Sequence, residues 1–459
     1  MTLSAVCGQY TGQERLQQEG CVEMSLSTQP YKGARDFYPE DKRVLDKLFS
    51  NWRLVCRSFG YEEYDAPILE PAELFAAKSG DELVNEQSYA FKDRGDRIVM
   101  LRPEMTPSVS RLVAGKRQEL ALPIRWFSIP SCWRYERPQK GRGREFYQLN
   151  VDLFGVEGLA AELEMLQMVD ALMASFKAKH DMYEIRINNR ALMNFVMHDW
   201  LGLDATEQKT IARLIDKMHK LPGNEFKALI EASIAPSLRE QGASDKLLAL
   251  LQAKSLIDLP AELLEHNGAQ ELLKLVKICS ALGIQNVKFD ITLMRGLDYY
   301  TGFVFEVFDT DPANNRSMFG GGRYDGLVGL FGVEPVPTVG FAVSDVVLME
   351  FLKSHALVPK TRTETDVYLI SIGETYEHTL KVSAELREMG VNVAFDITGR
   401  KTDKQLKSAI KKQVPYVMFV GEQEAGDERY KIKNLANSTE ETHSLQRIVS
   451  IVKDHRKAI

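Results

Sequence analysis

The chain has 459 residues, of which 44% are hydrophobic and 27% are charged. This length is too great for one ordinary domain, and the composition is that of a globular protein rather than a disordered one. The net charge of −6 argues against a small basic protein that coats nucleic acid, although a local basic patch could still bind RNA.

The N-terminal 23 residues are polar and rich in Gln, without the basic and apolar regions of a signal peptide. We expect a flexible extension here, or an upstream start to a working protein that begins near Met24. No run of about 18 apolar residues occurs, so we expect no membrane span. The five cysteines form no CxxC pair, which favours buried, reduced thiols of a cytosolic protein over a zinc site.

A regular pattern begins at Tyr31. Apolar residues at helical spacing predict an amphipathic helix over 40–60, ended by Gly60. Another helix is expected over 160–178, and strands are predicted over 61–67, 97–101, 124–136 and 146–154. Several strands with few helices between them indicate an antiparallel sheet.

The second half of the chain changes character twice. Residues 190–282 read as almost wholly helical, and strands return at 287–293 and 303–308. A polar linker with a Pro follows at 354–365. Strands then alternate with helices up to residue 420, which predicts a small α/β domain with a mostly parallel sheet.

The most informative segment is WRYERPQKGRGREFYQLNVDLFG, residues 133–155. It predicts a hairpin with a cationic tip whose second strand carries Gln148 and Asp152 on one face. Arginines there suit an anion bound beside a small polar molecule, because the guanidinium fork binds phosphate bidentately. A solvated basic loop is the alternative.

Three further segments could line a pocket. LRPEMTPSVSR (101–111) carries Glu104 and Thr106, which could receive an ammonium group or simply begin a helix. LMRGLDYYTGFVFE (293–306) carries two adjacent tyrosines. On a strand these would point to opposite faces, so at most one would line a given pocket. FGGGRYDGL (319–327) indicates a bend or a close backbone approach to a ligand, and no GK[ST] follows as in a Walker loop.

Taken together and in this order, these segments resemble the histidyl-tRNA synthetase family over roughly residues 30–455. The most specific stretches are YKGARDFYP, LRPE-x-T, RYERPQKGRGREF and RGLDYYTG. The resemblance implies an α+β fold with a class II antiparallel-sheet catalytic core at 24–355 and a helical insertion near 190–282. A linker at 356–363 and a C-terminal α/β anticodon-binding domain at 364–459 would follow.

The resemblance also implies the reaction and the partners. The family uses ATP with Mg²⁺ to activate L-histidine and transfers it to histidine tRNA. It is homodimeric, with the helix near 40–58 in the dimer-forming region, and we expect a cytoplasmic location. No metal ligand is assigned to a protein side chain.

Residue roles follow from the same resemblance. Arg134 and Arg295 would be catalytic, and with Arg142 they would bind ATP. Arg137 and Gln139 would contact the extra guanosine at the 5′ end of histidine tRNA. Histidine would be bound by Glu104, Met105, Thr106, Gln148, Asp152, Tyr299, Tyr300 and Tyr324. Asp152 stands where the family usually has Glu, so it would reach the imidazole through a small shift or a water.

One departure concerns ATP. Class II enzymes usually end their third motif with Gly-x-Glu-Arg, and this Arg grips ATP. Here Ser344 replaces the Gly, and Val346 and Val347 replace the Glu and the Arg. Either another cation substitutes, or this is a variant branch, or activation is lost. We expect an active enzyme, because the other contact residues are present.

Two other functions fit parts of this pattern. A catalytically inactive, histidine-sensing paralogue would act as a regulatory or tRNA-binding protein. Family members that regulate histidine biosynthesis lack the anticodon domain, which argues against this reading. A class II synthetase for glycine, threonine or proline would share the domain types, but RGLDYYTG argues against it.

Overall fold

The structure is a computed structural model that describes residues 26–76, 87–137, 139, 141–218, 221–293, 299–314 and 316–457. The expected N-terminal extension, residues 1–23, lies outside the described residues, as does Arg295. Within the described ranges, no helix combines the length and apolar character needed to cross a membrane.

Strands dominate the centre of the N-terminal part. In chain order they are β1 (Glu62–Glu63), β2 (Leu69–Pro71), β3 (Tyr89–Lys92), β4 (Ile98–Leu101), β5 (Ile124–Ser128), β6 (Ser131–Trp133), β7 (Glu145–Phe154), β8 (Tyr183–Asn189), β9 (Val287–Phe289), β10 (Phe303–Asp309), β11 (Ser317–Arg323) and β12 (Thr338–Ser344).

Nine of these strands form one sheet among the described residues, in the order β1-β5-β7-β12-β11-β10-β8-β9, with β6 paired to β7. Its neighbours are antiparallel except β1 with β5 and β8 with β9. Strands β2, β4 and β3 form a separate small sheet. The prediction of an antiparallel-rich core is confirmed.

The helices of this part pack on both faces of the sheet and form a helical region. They are α1 (Pro39–Ser58), α2 (Ala72–Ala76), α3 (Thr106–Gly115), α4 (Leu159–Ser175), α5 (Arg190–Phe195), α6 (Ala205–Asp216), α7 (Gly223–Ala232), α8 (Pro236–Glu240), α9 (Ala243–Leu250), α10 (Ala261–Leu264), α11 (Asn267–Ala281) and α12 (Asp345–Ser354). A π-helical turn at Val196–Trp200 extends α5, and 3₁₀ turns lie at Leu256–Asp258, Pro312–Asn314 and Val328–Phe331.

Helix α1 has the amphipathic pattern that the sequence predicts over 40–60. Its apolar stripe buries Leu48, Trp52 and Val55 against the core and packs on α4. Burial of each such side chain contributes roughly 1.5–3 kcal/mol. The helix ends at Ser58, and Gly60 adopts a φ of +80°, a left-handed conformation that favours glycine.

The C-terminal part forms its own sheet. Its elements are β13 (Val367–Ser371), α13 (Tyr376–Glu388), β14 (Val393–Phe395), α14 (Thr402–Lys411), β15 (Tyr416–Val420), α15 (Glu422–Asp427), β16 (Tyr430–Asn434), β17 (Glu440–His443) and α16 (Leu445–Lys457). The order is β14-β13-β15-β16-β17. The first three strands are parallel as predicted, but β16 and β17 add an antiparallel hairpin, so the sheet is mixed.

Three strand predictions need adjustment. The strand expected over 61–67 is only the two residues of β1, and the strand over 124–136 divides into β5 and β6 on either side of Pro130, which has no N–H to donate. The glycines 320–322 do not form a bend. They lie inside β11, where an added Cβ would lie within 2.5 Å of a carbonyl oxygen of a neighbouring segment at each of the three positions. The alternative, a close backbone approach to a ligand, stays a prediction.

Replacing Gly321 by Ala should destabilise the fold. A Cβ there would lie 2.1 Å from the Gly340 carbonyl oxygen and 2.6 Å from Phe341 Cβ, so packed sheet backbone would have to move. Such overpacking costs roughly 1–3 kcal/mol. Gly326→Ala is the matched control, because nothing lies within 4 Å of its added Cβ. Urea denaturation should separate the two variants, and equal midpoints would contradict this packing.

Candidate active site

Strand register brings small residues to the middle of one sheet face. Asp152 on β7 pairs with Gly340 on β12, and Gly340 pairs with Gly322 on β11. In the next row on the same face, Asn150 pairs with Ala342, Ala342 with Gly320, Gly320 with Glu306, and Glu306 with Arg186. We call Gly320, Gly322, Gly340 and Ala342 the small-residue strip. Polar side chains therefore lie on both sides of this strip, which forms a floor without large side chains.

The absence of a side chain at Gly340 is a steric requirement. A Cβ there would lie 2.7 Å from Asp152 Oδ1 and 2.9 Å from the Tyr324 hydroxyl, and 2.5 Å from the Val151 carbonyl oxygen. Glycine thus leaves room for the contact between Asp152 and Tyr324.

A cavity of about 300 Å³ opens above this floor. Its polar side chains come from β7, β10, β11, the start of α3, and the segments that precede α3 and β10 or follow β6 and β11. They are Glu104, Thr106, Arg134, Gln148, Asn150, Asp152, Tyr299, Tyr300, Glu306, Ser317 and Tyr324. The cavity, called here the first cavity, brings together polar residues of all four sequence segments that were expected to line a pocket.

Asp152 is the electrostatic centre of the first cavity. It is 3% exposed, its Oδ1 accepts a hydrogen bond from the Tyr324 hydroxyl, and its Oδ2 is buried with no partner among the described residues. Burial raises the pKa of Asp152 to about 7, although the hydrogen bond from Tyr324 opposes this rise. Tyr64, whose buried hydroxyl also lowers the pKa of Asp152, lies beside this carboxyl group, so a donor from a ligand would reach Oδ2 next to Tyr64.

Three tyrosines form one wall of the first cavity. The ring centroids of Tyr299 and Tyr324 lie 5.5 Å apart, and those of Tyr299 and Tyr300 lie 5.0 Å apart. The Tyr299 hydroxyl donates to Glu104 Oε2 at 3.3 Å, and Glu104 is itself buried. The expectation that only one of the adjacent tyrosines could line a pocket is wrong, because both precede β10 and are free of strand alternation.

Arg134 is held at the edge of the first cavity. Its Nε donates to the Pro103 carbonyl oxygen at 2.9 Å, and its guanidinium lies 5.2 Å from the centroid of the Phe146 ring. Its Nη atoms make no hydrogen bond with the described residues. This geometry fixes the stem while leaving donors for an anion.

A second cavity of about 890 Å³ adjoins the first, because Glu306 and Ser317 line both. Its charged side chains are Arg142, Arg186, Asp216, Asp290, Glu306, Arg316 and Glu350. Gln139 and Val347 also line it. A molecule that spans the two cavities would therefore meet both arginines and carboxylates in the second cavity, and Arg134 in the first.

Residues 31–37 contact both the loop that precedes β7 and the start of α12. The Arg144 backbone N–H donates to the Gly33 carbonyl oxygen at 2.8 Å, and the Arg144 guanidinium lies 4.1 Å from the centre of the Tyr135 ring. Arg35 pairs at 2.8 Å with Asp345, whose other oxygen accepts from the Tyr147 N–H at 2.9 Å. These contacts fix the hairpin relative to α12.

The remaining expected residues differ in how the structure describes them. Met105 is fully buried beside Arg102 and is not among the residues that line the first cavity. Arg137 and Gln139 are exposed on the hairpin loop. Arg295 lies outside the described residues. No group of three potential His, Cys, Asp or Glu ligands for a metal occurs in the described ranges.

The polar cavity residues that sequence reasoning missed include Asn150, Arg186, Glu306, Arg316 and Ser317. Asn150 could have been found, because it lies between Gln148 and Asp152 at the same period of two. The others come together only through the pairing of β8, β10 and β11.

Comparison with known proteins yields one consistent group. The family model described as histidyl-tRNA synthetase matches residues 33–346, and the model described as anticodon binding domain matches 366–455. A histidine–tRNA ligase from Leptospira biflexa is 38% identical over 94% of this chain and 99% of its own length. One from Thermoplasma volcanium is 33% identical over 91% and 96%, respectively.

Solved structures with this fold point the same way. The histidyl-tRNA synthetase from Nostoc superposes with a TM-score of 0.78 at 22% identity, covering 94% of this chain and 100% of that one. A structure described as an ATP phosphoribosyltransferase regulatory subunit/histidyl-tRNA synthetase from Bacillus halodurans gives 0.71 at 21% identity, covering 87% and 99%. At such identities the likeness establishes the fold alone.

Asp152→Asn should stabilise the protein at alkaline pH. The folded-state pKa of about 7 lies above the unfolded value, so stability falls as pH rises from near 4 towards 7 and is level above that. The gain from Asn should therefore grow over this window and reach a few kcal/mol, at roughly 1.4 kcal/mol per pKa unit. Denaturation of both proteins at pH 4.5 and 8 measures it. An equal difference at both values would contradict the buried-carboxyl account.

Proposed function

Because the chain belongs to the histidyl-tRNA synthetase family, we propose that it is a histidine–tRNA ligase. It would use ATP to convert L-histidine into histidyl-adenylate and then transfer histidine to the 3′ end of histidine tRNA. The observation that carries this proposal is the pairing of two adjoining cavities. One has a buried carboxyl group and a tyrosine wall, and the other is lined by three arginines and four carboxylates.

Histidine would occupy the first cavity. Its imidazole N–H would donate to the unpartnered Oδ2 of Asp152, while Tyr324 holds Oδ1. Its ammonium group would lie between Glu104, Thr106 and Gln148, and the wall of Tyr299 and Tyr300 would exclude water. Met105 would contribute only through its backbone, since its side chain is buried elsewhere.

The first reaction joins the two cavities. A histidine carboxylate oxygen attacks the α-phosphorus of ATP, a new O–P bond forms, and the bond to pyrophosphate breaks. Negative charge grows on the transferring phosphoryl oxygens and on the leaving group. Preorganised cations lower that barrier. Arg134, whose Nη atoms make no hydrogen bond with the described residues, and Arg295 would supply them. Arg142 would hold a further phosphate in the second cavity.

Mg²⁺ would accompany ATP and neutralise phosphate charge. The second cavity offers Glu306 and Glu350, whose oxygens suit this hard cation. Since no group of three potential side-chain ligands occurs in the described ranges, phosphates and water would complete its coordination.

Transfer to tRNA would use the exposed hairpin loop and the C-terminal part. Arg137 and Gln139 are exposed beside the second cavity and could reach the 5′ end of the tRNA acceptor arm. We divide the chain into a catalytic core at 24–355 with a helical insertion near 190–282, a linker at 356–363 and an anticodon-binding domain at 364–459. By family resemblance the enzyme is a cytoplasmic homodimer with α1 near the interface.

The inactive, histidine-sensing paralogue is the weaker reading. The curated relatives named above are histidine–tRNA ligases that match over nearly their full length. The match to an anticodon-binding domain at 366–455 also favours a chain that handles tRNA.

Arg295→Ala should abolish adenylate formation while leaving the unfolding midpoint unchanged, since its proposed contact exists only as charge builds up on phosphate. Loss of one such stabilising donor costs roughly 10²–10³-fold in turnover. Single-turnover formation of histidyl-adenylate measures the effect. Turnover within a few-fold of the parent protein would remove Arg295 from the mechanism.

The proposed function itself is tested by charging. The purified protein should esterify histidine to the 3′ end of histidine tRNA. Arg137→Ala should lower charging at least ~10-fold, because a lost charged contact costs roughly 1.5–3 kcal/mol. The same variant should change adenylate formation less than about twofold. Arg94→Ala, at an exposed arginine outside both cavities, is the control. No charging by the folded protein contradicts the function, and equal losses in both steps contradict the role of Arg137.

A further inference from the structure

The second cavity has an unusual charge balance for a nucleotide site. Three arginines line it, but so do four carboxylates, Asp216, Asp290, Glu306 and Glu350. The position that carries the ATP-gripping arginine in the wider class is Val347, which contributes only an apolar surface in the first turn of α12. A polyphosphate therefore needs a cation that the protein has not already neutralised.

Two of the three arginines are committed to protein partners. Arg186 pairs with Asp290 at 3.2 Å and Glu184 at 3.4 Å, and its guanidinium lies 4.2 Å from the centre of the Phe308 ring. Arg142 pairs with Glu136 at 3.2 Å. Each could still add a contact to a ligand, but each already has carboxylate charge beside it.

Arg316 differs from both. It is exposed, lines the second cavity, and makes no ion pair, hydrogen bond or ring contact with the described residues. It immediately precedes Ser317, the first residue of β11, which lines both cavities and thus marks their junction. Its guanidinium is therefore an uncommitted cation in the same cavity as Val347.

We propose that Arg316 binds the β- and γ-phosphates of ATP and replaces the cation that is missing at Val347. This inference rests on the proposed function, and it explains how the second cavity can hold ATP despite its carboxylates. Arginine suits this task because its fork donates two hydrogen bonds to one phosphate. Pyrophosphate, which is made of these two phosphates, would leave from the same contact.

The test separates ATP binding from histidine binding. Arg316→Ala should raise the KM for ATP in histidine-dependent ATP–pyrophosphate exchange by roughly 10- to 100-fold, the usual cost of a lost charged hydrogen bond. The KM for pyrophosphate should rise similarly, whereas the KM for histidine should change less than about twofold. Arg94→Ala, at an exposed arginine outside the cavity, should change none of them.

The double variant Arg316→Ala/Val347→Arg gives the sharper result. An arginine returned to position 347 should restore much of the affinity for ATP, which a merely structural role of Arg316 would not allow. An unchanged KM for ATP in Arg316→Ala, an equal rise in the KM for histidine, or no recovery in the double variant would overturn the proposal.

Calorimetric titration of MgATP into the histidine-free protein separates a failure of the Arg316 proposal from a failure of the proposed ligase function. Weaker MgATP binding by Arg316→Ala than by the parent protein supports the phosphate contact even if no exchange occurs, and an unchanged dissociation constant overturns it. Absence of exchange in the parent protein, by contrast, counts against the proposed ligase function.

Discussion

The candidate site depends on one steric constraint, the small-residue strip that crosses the middle of the nine-stranded sheet. A Cβ at Gly340 would lie within 2.9 Å of Asp152 Oδ1, Tyr324 and the Val151 carbonyl. Because no large side chain projects from the strip, a polar ligand can lie against this face of the sheet while the strands pair at normal spacing. The strip also connects β7, which carries Asp152, with β10 and β8, which carry Glu306 and Arg186.

The two cavities on this sheet face differ in their electrostatics. In the first cavity, burial raises the pKa of Asp152 and leaves an oxygen that needs a donor, which suits a small ligand with an N–H group. In the second, arginines face carboxylates in a larger space. Glu306 and Ser317 lie where the two cavities meet. The joining of an amino acid to a nucleotide phosphate requires such a junction.

Local patterns predicted much of this architecture, and contacts distant in the chain supplied the rest. The stripe of α1 and the alternation of Gln148 and Asp152 could be predicted because helix and strand periods depend on neighbouring residues. The β16–β17 hairpin was missed because the two strands are short and β17 (EETH) carries no apolar residue. Arg316, Val347 and Arg186 line the same cavity because β8, β10 and β11 pair, and no local sequence pattern predicts that pairing.

The central claim is that this site activates histidine with ATP despite Val347 in the third motif. Histidine-dependent ATP–pyrophosphate exchange by the purified protein tests it most directly, with glycine, threonine and proline as comparison substrates. The account predicts exchange with histidine alone, since the side chains of glycine and proline have no N–H or O–H to donate to the buried oxygen of Asp152, and the threonine hydroxyl lies on a much shorter side chain than the imidazole N–H. Exchange with another of these amino acids, or none from a folded protein that still binds histidine, would contradict it.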